Sequence, residues 1–505
     1  MKTKIKIAFS VIFLAFPIFT FTNAVVAIGD MSAHKIGSAA VYLLAAVAVF
    51  AALVGVYAVL KRIANGKKIS KIITPNLLFA VCSIVMLAIQ IYLIVRLDYK
   101  PVHDAYYVDA AARNFARDGN FAGMYAGLHG KENYFTRFPN NWGILLLLSY
   151  FYRSIYLIFG TVPSFAAQVL NIVLLQFSVF MTFMTAKLVL KDKGTQMFAA
   201  IFSAILPPIY LYTPIFYTDT LSMPFVISAL YCFIRGTRAQ KNGALFGWMA
   251  GAAVITGVGY TLKGSLCVLL AAEVIYCFFR LRPLKAAGVS AMFIAALLVC
   301  NSTVFNIGLA QGISTREMLE RHRIPTIHWV MMSAVNEGGF NKEEFRYTIH
   351  YEGYEEKKAA DLERLKQHIK DYTPRTFTDH LVEKSNFTWA HGKYFSRHHL
   401  QETSRTPLKY MLTIGRGFDV FCQAMQLSML ALMSISFIYG VRKRRVTPMF
   451  MVQMAVFGLA LFLLIWETRS RYLINFLPLF ILMSAHGARI TVAWLSKIFK
   501  CIRPA

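Results

Sequence analysis

Apolar runs of 18 residues or more recur along nearly the whole of this 505-residue chain. Each is long enough to cross a hydrocarbon core about 30 Å thick. A lone apolar strand cannot satisfy its backbone in lipid, so the runs must be helices. They fall at roughly 7–28, 35–60, 75–96, 142–160, 163–187, 196–213, 218–234, 244–261, 263–279, 286–309, 417–440, 448–466 and 472–495. The expected fold is therefore an all-α polytopic membrane bundle. Charged residues make up only 15% of the chain, about half of what a soluble protein of this length needs.

The basic loops give the orientation. Residues 61–71, KRIANGKKISK, carry five basic residues and no acid. Arg235–Lys241, Arg280–Lys285, Arg442–Arg445, the N-terminal lysines and the C-terminal tail are similarly basic. Placing these segments in the cytoplasm leaves 97–141 and 310–416 outside. It also accounts for the net charge of +28 without nucleic acid; no zinc-finger spacing or basic–aromatic interleaving is present. One cluster resists the scheme. Lys187, Lys191 and Lys193 also belong inside, yet counting every run from the loop at 97–141 puts them outside. Either a segment between 142 and 187 fails to cross or the cluster departs from a statistical rule. Segment 142–160, with Tyr150, Tyr152, Arg153 and Tyr156 in its interior, is the expected exception. About 12 full crossings and one incomplete segment follow.

Three regions result: a membrane module at 1–309 with its external loop at 97–141, an external polar domain at 310–416, and C-terminal spans at 417–505. Region 310–416 holds 14 of the 25 acidic residues and eight of the 12 histidines. Lys342 to Asp371 is dense in Glu and Lys and predicts a helix, with Pro374 as its stop. All of the seven cysteines but Cys501 lie in or beside apolar segments, without CxxC spacing, and are expected to be free. The basic–apolar N-terminus resembles a signal peptide, but a second run follows at once, so an uncleaved first helix is expected.

Polar residues at the outer mouths of the spans could carry chemistry. Asp104 and Asp109 lie in Pro101-Val-His-Asp-Ala-Tyr-Tyr-Val-Asp109, which leads into an amphipathic, membrane-surface helix. They are either site carboxylates or ordinary solvated ones. In Tyr134-Phe-Thr-Arg-Phe-Pro-Asn-Asn-Trp-Gly143, helix capping by Asn140 or Asn141 and interfacial anchoring by Trp142 explain most residues, but not Arg137. Asp219 follows Pro207, Pro208 and Pro214 and is either a helix cap or a carboxylate facing a cavity. Lys263 sits among glycines between two apolar runs, where it must snorkel or meet an anion. Glu273, deeper in the next run, needs a partner or a proton. Glu467, Arg469 and Arg471 open the last span and form either an ion-pair cluster or an arginine fork for phosphate. The external histidines lack dense metal-ligand spacing, though a divalent metal at an acidic external site stays open.

This arrangement resembles the GT-C superfamily of membrane glycosyltransferases, which includes protein O-mannosyltransferases and bacterial aminoarabinose transferases. The fragments RFPNN, FYTD and ETRSRY look like those of Gram-positive, wall-modifying relatives. The resemblance implies a polyprenyl-phosphate sugar donor, an active site outside and usually inversion at the anomeric carbon; no cofactor is expected to be required, with a divalent metal left open. It implies Asp104 as general base, Asp109 as a second candidate and Asp219 as the secondary carboxylate. Lys263 and Arg471 would hold the donor phosphate, with Arg469 and Arg137 as helpers. Protein mannosyltransferases carry an acidic residue after the catalytic aspartate, whereas Ala105 follows Asp104 here. The acceptor is then expected to be an envelope polymer or glycolipid, such as a teichoic acid or wall polysaccharide. The alternatives are a transporter or flippase of a lipid-linked sugar, a polysaccharide ligase or polymerase of another membrane class, and a non-catalytic scaffold.

Overall fold

The computed structural model describes residues 2–31, 36–126, 133–403, 406–443 and 445–502. Helices are the only regular elements among them. Eleven helices are long and apolar enough to cross a membrane, and the protein is a multi-pass integral membrane protein.

Side-chain contacts sort the helix ends onto two faces. On one face Lys187 Nζ donates to Asn76 Oδ1 at 3.1 Å, Arg238 Nη2 to the Leu188 carbonyl at 2.6 Å, and Lys6 Nζ to the Gly440 carbonyl at 2.5 Å. The lysine cluster at 187–193 therefore shares a face with the basic loops. On the opposite face Asn171 Nδ2 donates to the carbonyls of Tyr212 and Thr213 at 2.8 and 2.9 Å, and the rings of Tyr99 and Phe216 meet.

Helix Trp142–Phe159 begins and ends on this second face. The chain arrives there at Leu97 and leaves through helix Ala166–Val189, so it crosses an even number of times in between. Helix His103–Asp118 is too charged to span. It packs along Trp142–Phe159 instead, and Arg113 reaches past the end of that helix to the carbonyls of Val162 and Ser164 at 3.0 and 3.2 Å. The other ten long apolar helices are each long and apolar enough to cross. Two shorter passages complete the bundle: the broken pair Lys193–Ile205 and Pro207–Leu211, and helix Leu266–Arg280. Twelve crossings and one incomplete segment result. The prolines place the break in the 196–213 passage, because Pro207 cannot donate within a continuing helix.

Some local expectations change. Trp142 is fully buried rather than interfacial; it stacks on Phe305, lies against Gly308, and donates Nε1 to the Phe135 carbonyl at 2.8 Å. Lys342–Asp371 forms two helices, Lys342–His350 and Tyr354–Lys370, because Gly353 takes a left-handed φ of 85° between them. Pro374 opens the following helix, Pro374–Trp389, where its missing N–H costs nothing. The six cysteines whose side chains are described are free, and Cys501 lies outside the described side chains.

The stretch between helices Pro283–Ala310 and Arg416–Arg442 sits on the second face and grips the start of the last span. Ser333 Oγ donates to the Ile465 carbonyl at 2.6 Å, Glu467 N to Trp329 O at 3.2 Å and Thr468 N to Gly338 O at 2.9 Å. Its interior is partly polar: His328 Nδ1 meets Thr348 Oγ1 at 2.7 Å, and Thr348 donates to Asp361 Oδ1 at 2.5 Å.

The two-face arrangement predicts a labelling pattern. In a background with the native cysteines replaced, Asn120→Cys and Ser164→Cys should react with an impermeant thiol reagent from the same side, and Lys191→Cys from the other. Labelling of Asn120→Cys from the same side as Lys191→Cys, with Ser164→Cys reacting from the opposite side, would mean that Trp142–Phe159 crosses.

Candidate functional site

Four helix junctions meet on the second face. The proline-broken passage ends in Tyr217 and the short helix Thr218–Leu221. The glycine-flanked turn after helix Asn242–Leu262 presents Lys263. The Glu467–Phe476 segment presents two arginines, and helix His103–Asp118 presents Asp104 in its first turn.

Asp219 and Lys263 form a buried ion pair, their side chains 4% and 11% exposed. Asp219 is thus spent on a lysine rather than on capping, and Lys263 is met by a carboxylate rather than left to snorkel. Pairing is the condition under which such groups tolerate a dry setting. The Lys263 ammonium also lies over the Tyr472 ring, 4.9 Å from its centre. Ser265 Oγ accepts from Asn475 Nδ2 at 3.1 Å, which locks the lysine turn to the arginine segment.

A second chain of hydrogen bonds reaches Asp104. Tyr217 Oη donates to Asn141 Oδ1 at 3.0 Å, Asn141 Nδ2 to Tyr134 Oη at 2.8 Å, and Tyr134 Oη to Asp104 Oδ1 at 2.8 Å. The Asn141 amide is therefore committed to two tyrosines and makes no side-chain cap. Arg471 joins the two chains. Its guanidinium stands 5.9 Å from the centre of the Tyr217 ring and 5.2 Å from that of Tyr472, within electrostatic reach of both Asp219 and Asp104.

The arginines are not an ion-pair cluster with Glu467. That carboxylate accepts from Tyr472 Oη at 2.7 Å. Arg469 and Arg471 each keep a buried Nε without a hydrogen-bond partner among the described residues. Burial pushes the Glu467 carboxyl above its usual range, against the pull of the Tyr472 hydroxyl and the arginines.

Asp104, Asp219, Lys263, Arg471 and Arg469 thus gather in one place. Asp109 is directed elsewhere: Arg113 Nε donates to it at 2.8 Å and the Tyr152 hydroxyl takes its other oxygen, pinning the two surface helices together. Arg137 also lies apart; it faces His322 and Lys357, and its carbonyl accepts from Ile324 N at 3.1 Å. Glu273 is fully buried within its span, both carboxyl oxygens lack a hydrogen-bond partner among the described residues, and Thr256 stands beside it. No three His, Cys, Asp or Glu side chains among the described residues converge as a metal site.

Sequence reasoning passed over Tyr134, Asn141, Tyr217 and Tyr472 as site members. Each stood inside a fragment already singled out, but a tyrosine or asparagine at a membrane mouth is equally explained by anchoring or capping. His399 was missed too. It is 4% exposed and its ring lies 6.2 Å from that of His103, the residue before Asp104.

The ion pair predicts a double-mutant cycle. Asp219→Asn or Lys263→Gln alone leaves a buried charge unpaired and should cost about 3 kcal/mol of stability. The double variant should recover most of that loss in thermal unfolding. A separate prediction concerns Lys384, buried against the Ser333 carbonyl at 3.1 Å and pushed down to about 7 by that burial. The unfolded chain keeps the ordinary lysine pKa of 10.5 and so binds more protons above pH 7. Stability should therefore rise with pH from about 7 to 10. Lys384→Met should flatten that rise in Tm; an unchanged slope would mean that Lys384 is not its source.

A family model described as "conserved hypothetical integral membrane protein" matches residues 1–492. No curated protein matches the chain. Among solved structures, the chain is similar to ArnT from Cupriavidus metallidurans bound to undecaprenyl phosphate. The identity is 11%, covering 82% of this chain and 77% of that one, with a TM-score of 0.34. A superposition that loose carries no argument about chemistry.

Proposed function

This chain belongs to the family of conserved hypothetical integral membrane proteins, and we propose that it is a membrane glycosyltransferase using a polyprenyl-phosphate sugar. The observation that carries the reading is the meeting of Asp104, the Asp219–Lys263 pair and Arg471 at one mouth of the bundle. The face that holds them lies opposite the basic loops, so the positive-inside rule makes it extracytoplasmic and both termini cytoplasmic. The acceptor in this reading is an envelope polymer or glycolipid, such as a teichoic acid or wall polysaccharide.

The chemistry needs one base and an anion site. An acceptor hydroxyl attacks the anomeric carbon while the bond from that carbon to the donor phosphate oxygen breaks. The hydroxyl proton goes to Asp104, whose carboxylate is oriented by the Tyr134 hydroxyl on Oδ1. The bonding pair leaves with the phosphate oxygen as polyprenyl phosphate. A single displacement inverts the anomeric centre. The leaving phosphate gains negative charge and needs little help from an acid, which is why one carboxylate can suffice where a glycosidase uses two.

Arg471 and Arg469 meet that charge. Their Nε donors, without a hydrogen-bond partner among the described residues, are in place before the phosphate arrives, so stabilisation costs little reorganisation. Lys263 contributes less net charge than it would alone, because Asp219 already neutralises it. Asp219 acts in this account by holding Lys263 and the Tyr217 turn in place. The polar stretch at 310–416 lies over the same face and would select the acceptor.

Asp104→Asn should lower turnover by at least about 100-fold, the usual worth of a positioned base. Its thermal stability and its affinity for undecaprenyl phosphate should stay near those of the wild type. Release of polyprenyl phosphate at wild-type rates by purified Asp104→Asn protein would remove Asp104 from the role of base.

A further inference from the structure

We infer that His399 is a phosphate-contacting residue of this pocket, donating a neutral hydrogen bond to the lipid-linked phosphate beside the Nε atoms of Arg469 and Arg471. The inference rests on the proposed donor class and adds a ligand contact to it.

His399 is 4% exposed, and neither Nδ1 nor Nε2 has a hydrogen-bond partner among the described residues. Leaving a buried polar group in that condition is unfavourable, and one imidazole carries two such atoms. Arg469 and Arg471 each add a buried, unpartnered Nε. His399 lies within electrostatic reach of both arginines and of His103 and His398. Four unsatisfied atoms on three neighbouring side chains are what a site shaped for an absent oxyanion leaves behind.

The backbone supports the same conclusion independently. Few non-glycine residues of the described chain take positive φ, yet His103 does so at 52°, Tyr394 at 51° and Phe395 at 63°. His103 and Phe395 border this cluster, and Tyr394 directly precedes Phe395. The Phe395 ring lies beneath the Arg469 guanidinium at 4.5 Å and 6.1 Å from the His399 ring, while His103 stacks on His398 at 4.5 Å. Strain of this kind persists where the surroundings over-determine it and gathers at ligand sites.

The protonation state suits the role. Burial first, then the neighbouring Arg471 and histidines, hold His399 well below the ordinary histidine pKa. A neutral imidazole offers one N–H to a phosphate oxygen without adding a third positive charge near the two arginines. Its other nitrogen can accept a proton-bearing oxygen, such as a sugar hydroxyl.

The test uses the full-length protein in nanodiscs, with His399→Phe and His399→Gln beside the wild type, titrated with undecaprenyl phosphate, undecaprenol and inorganic phosphate. The wild type should bind undecaprenyl phosphate and should bind undecaprenol far more weakly. His399→Phe should weaken undecaprenyl phosphate binding about 10-fold, as expected for one lost hydrogen bond to a charged group, and His399→Gln should restore part of it. Because no protein hydrogen bond is lost, the Tm of both variants should match or exceed that of the wild type. Wild-type affinity in His399→Phe would overturn this inference alone, whereas failure of the wild type to bind undecaprenyl phosphate would sink the donor assignment too. A large drop in Tm accompanying weaker binding would make His399 a structural residue. Equal affinity for inorganic phosphate would remove the lipid from the assignment. Loss of wild-type binding on chelation would assign the imidazoles to a metal.

Discussion

The buried ion pair between Asp219 and Lys263 holds the architecture of the site together. Each residue ends a segment that lipid alone could not tolerate. Asp219 follows a passage broken by Pro207, and Lys263 stands where a glycine-flanked turn reverses the chain. Neither charge is stable there without the other. Their pairing draws two helix junctions together, and Tyr217 and Tyr472 fill the space around them. From this anchor, one hydrogen-bonded path runs through Tyr217, Asn141 and Tyr134 to Asp104, and the aromatic faces of Tyr217 and Tyr472 seat Arg471.

The polar stretch at 310–416 also holds the arginine segment in place. Backbone bonds from Trp329 and Gly338 fix Glu467 and Thr468, and Thr388 meets Thr468 at 2.7 Å. Arg469 and Arg471 follow immediately in the chain. The surface helix pair is held in a comparable way by Asp109, Arg113 and Tyr152, which set the position of Asp104 five residues away. Two charged clusters that look catalytic in isolation are thus each tied up in ion pairs or hydrogen bonds of their own. Among the described residues, Asp104 and the two arginines are in no ion pair, a division that suits proton removal at one end and phosphate stabilisation at the other.

Much of this was legible in the chain. Spans declare themselves by length and apolarity, and the lysines at 187–193 betrayed a segment that does not cross, because loop charge reports the side on which a loop lies. What stayed hidden depends on partners distant in sequence. Asp109 and Asp104 are indistinguishable as types, and only Tyr152 and Arg113 separate them. Asn141 looked like a cap because helix starts favour asparagine; its engagement by two tyrosines has no local signature. Arg137 sits in a promising fragment, yet it lies within electrostatic reach of Lys357, more than two hundred residues downstream. Trp142 satisfied a rule for interfacial anchoring, but Gly308 leaves a hollow that the indole fills. His399 is one of eight histidines in its region, and nothing nearby in sequence says that its ring is buried without a hydrogen-bond partner among the described residues.

The central claim is that this pocket transfers a sugar from a lipid phosphate. Its most direct test offers the purified protein a panel of polyprenyl-phosphate sugars with envelope-derived acceptors and quantifies polyprenyl phosphate set free. Acceptor-dependent release from at least one donor, matched mole for mole by glycosylated acceptor, is the predicted result. Intact donor moved across a vesicle membrane, with its sugar–phosphate bond unbroken, would contradict it.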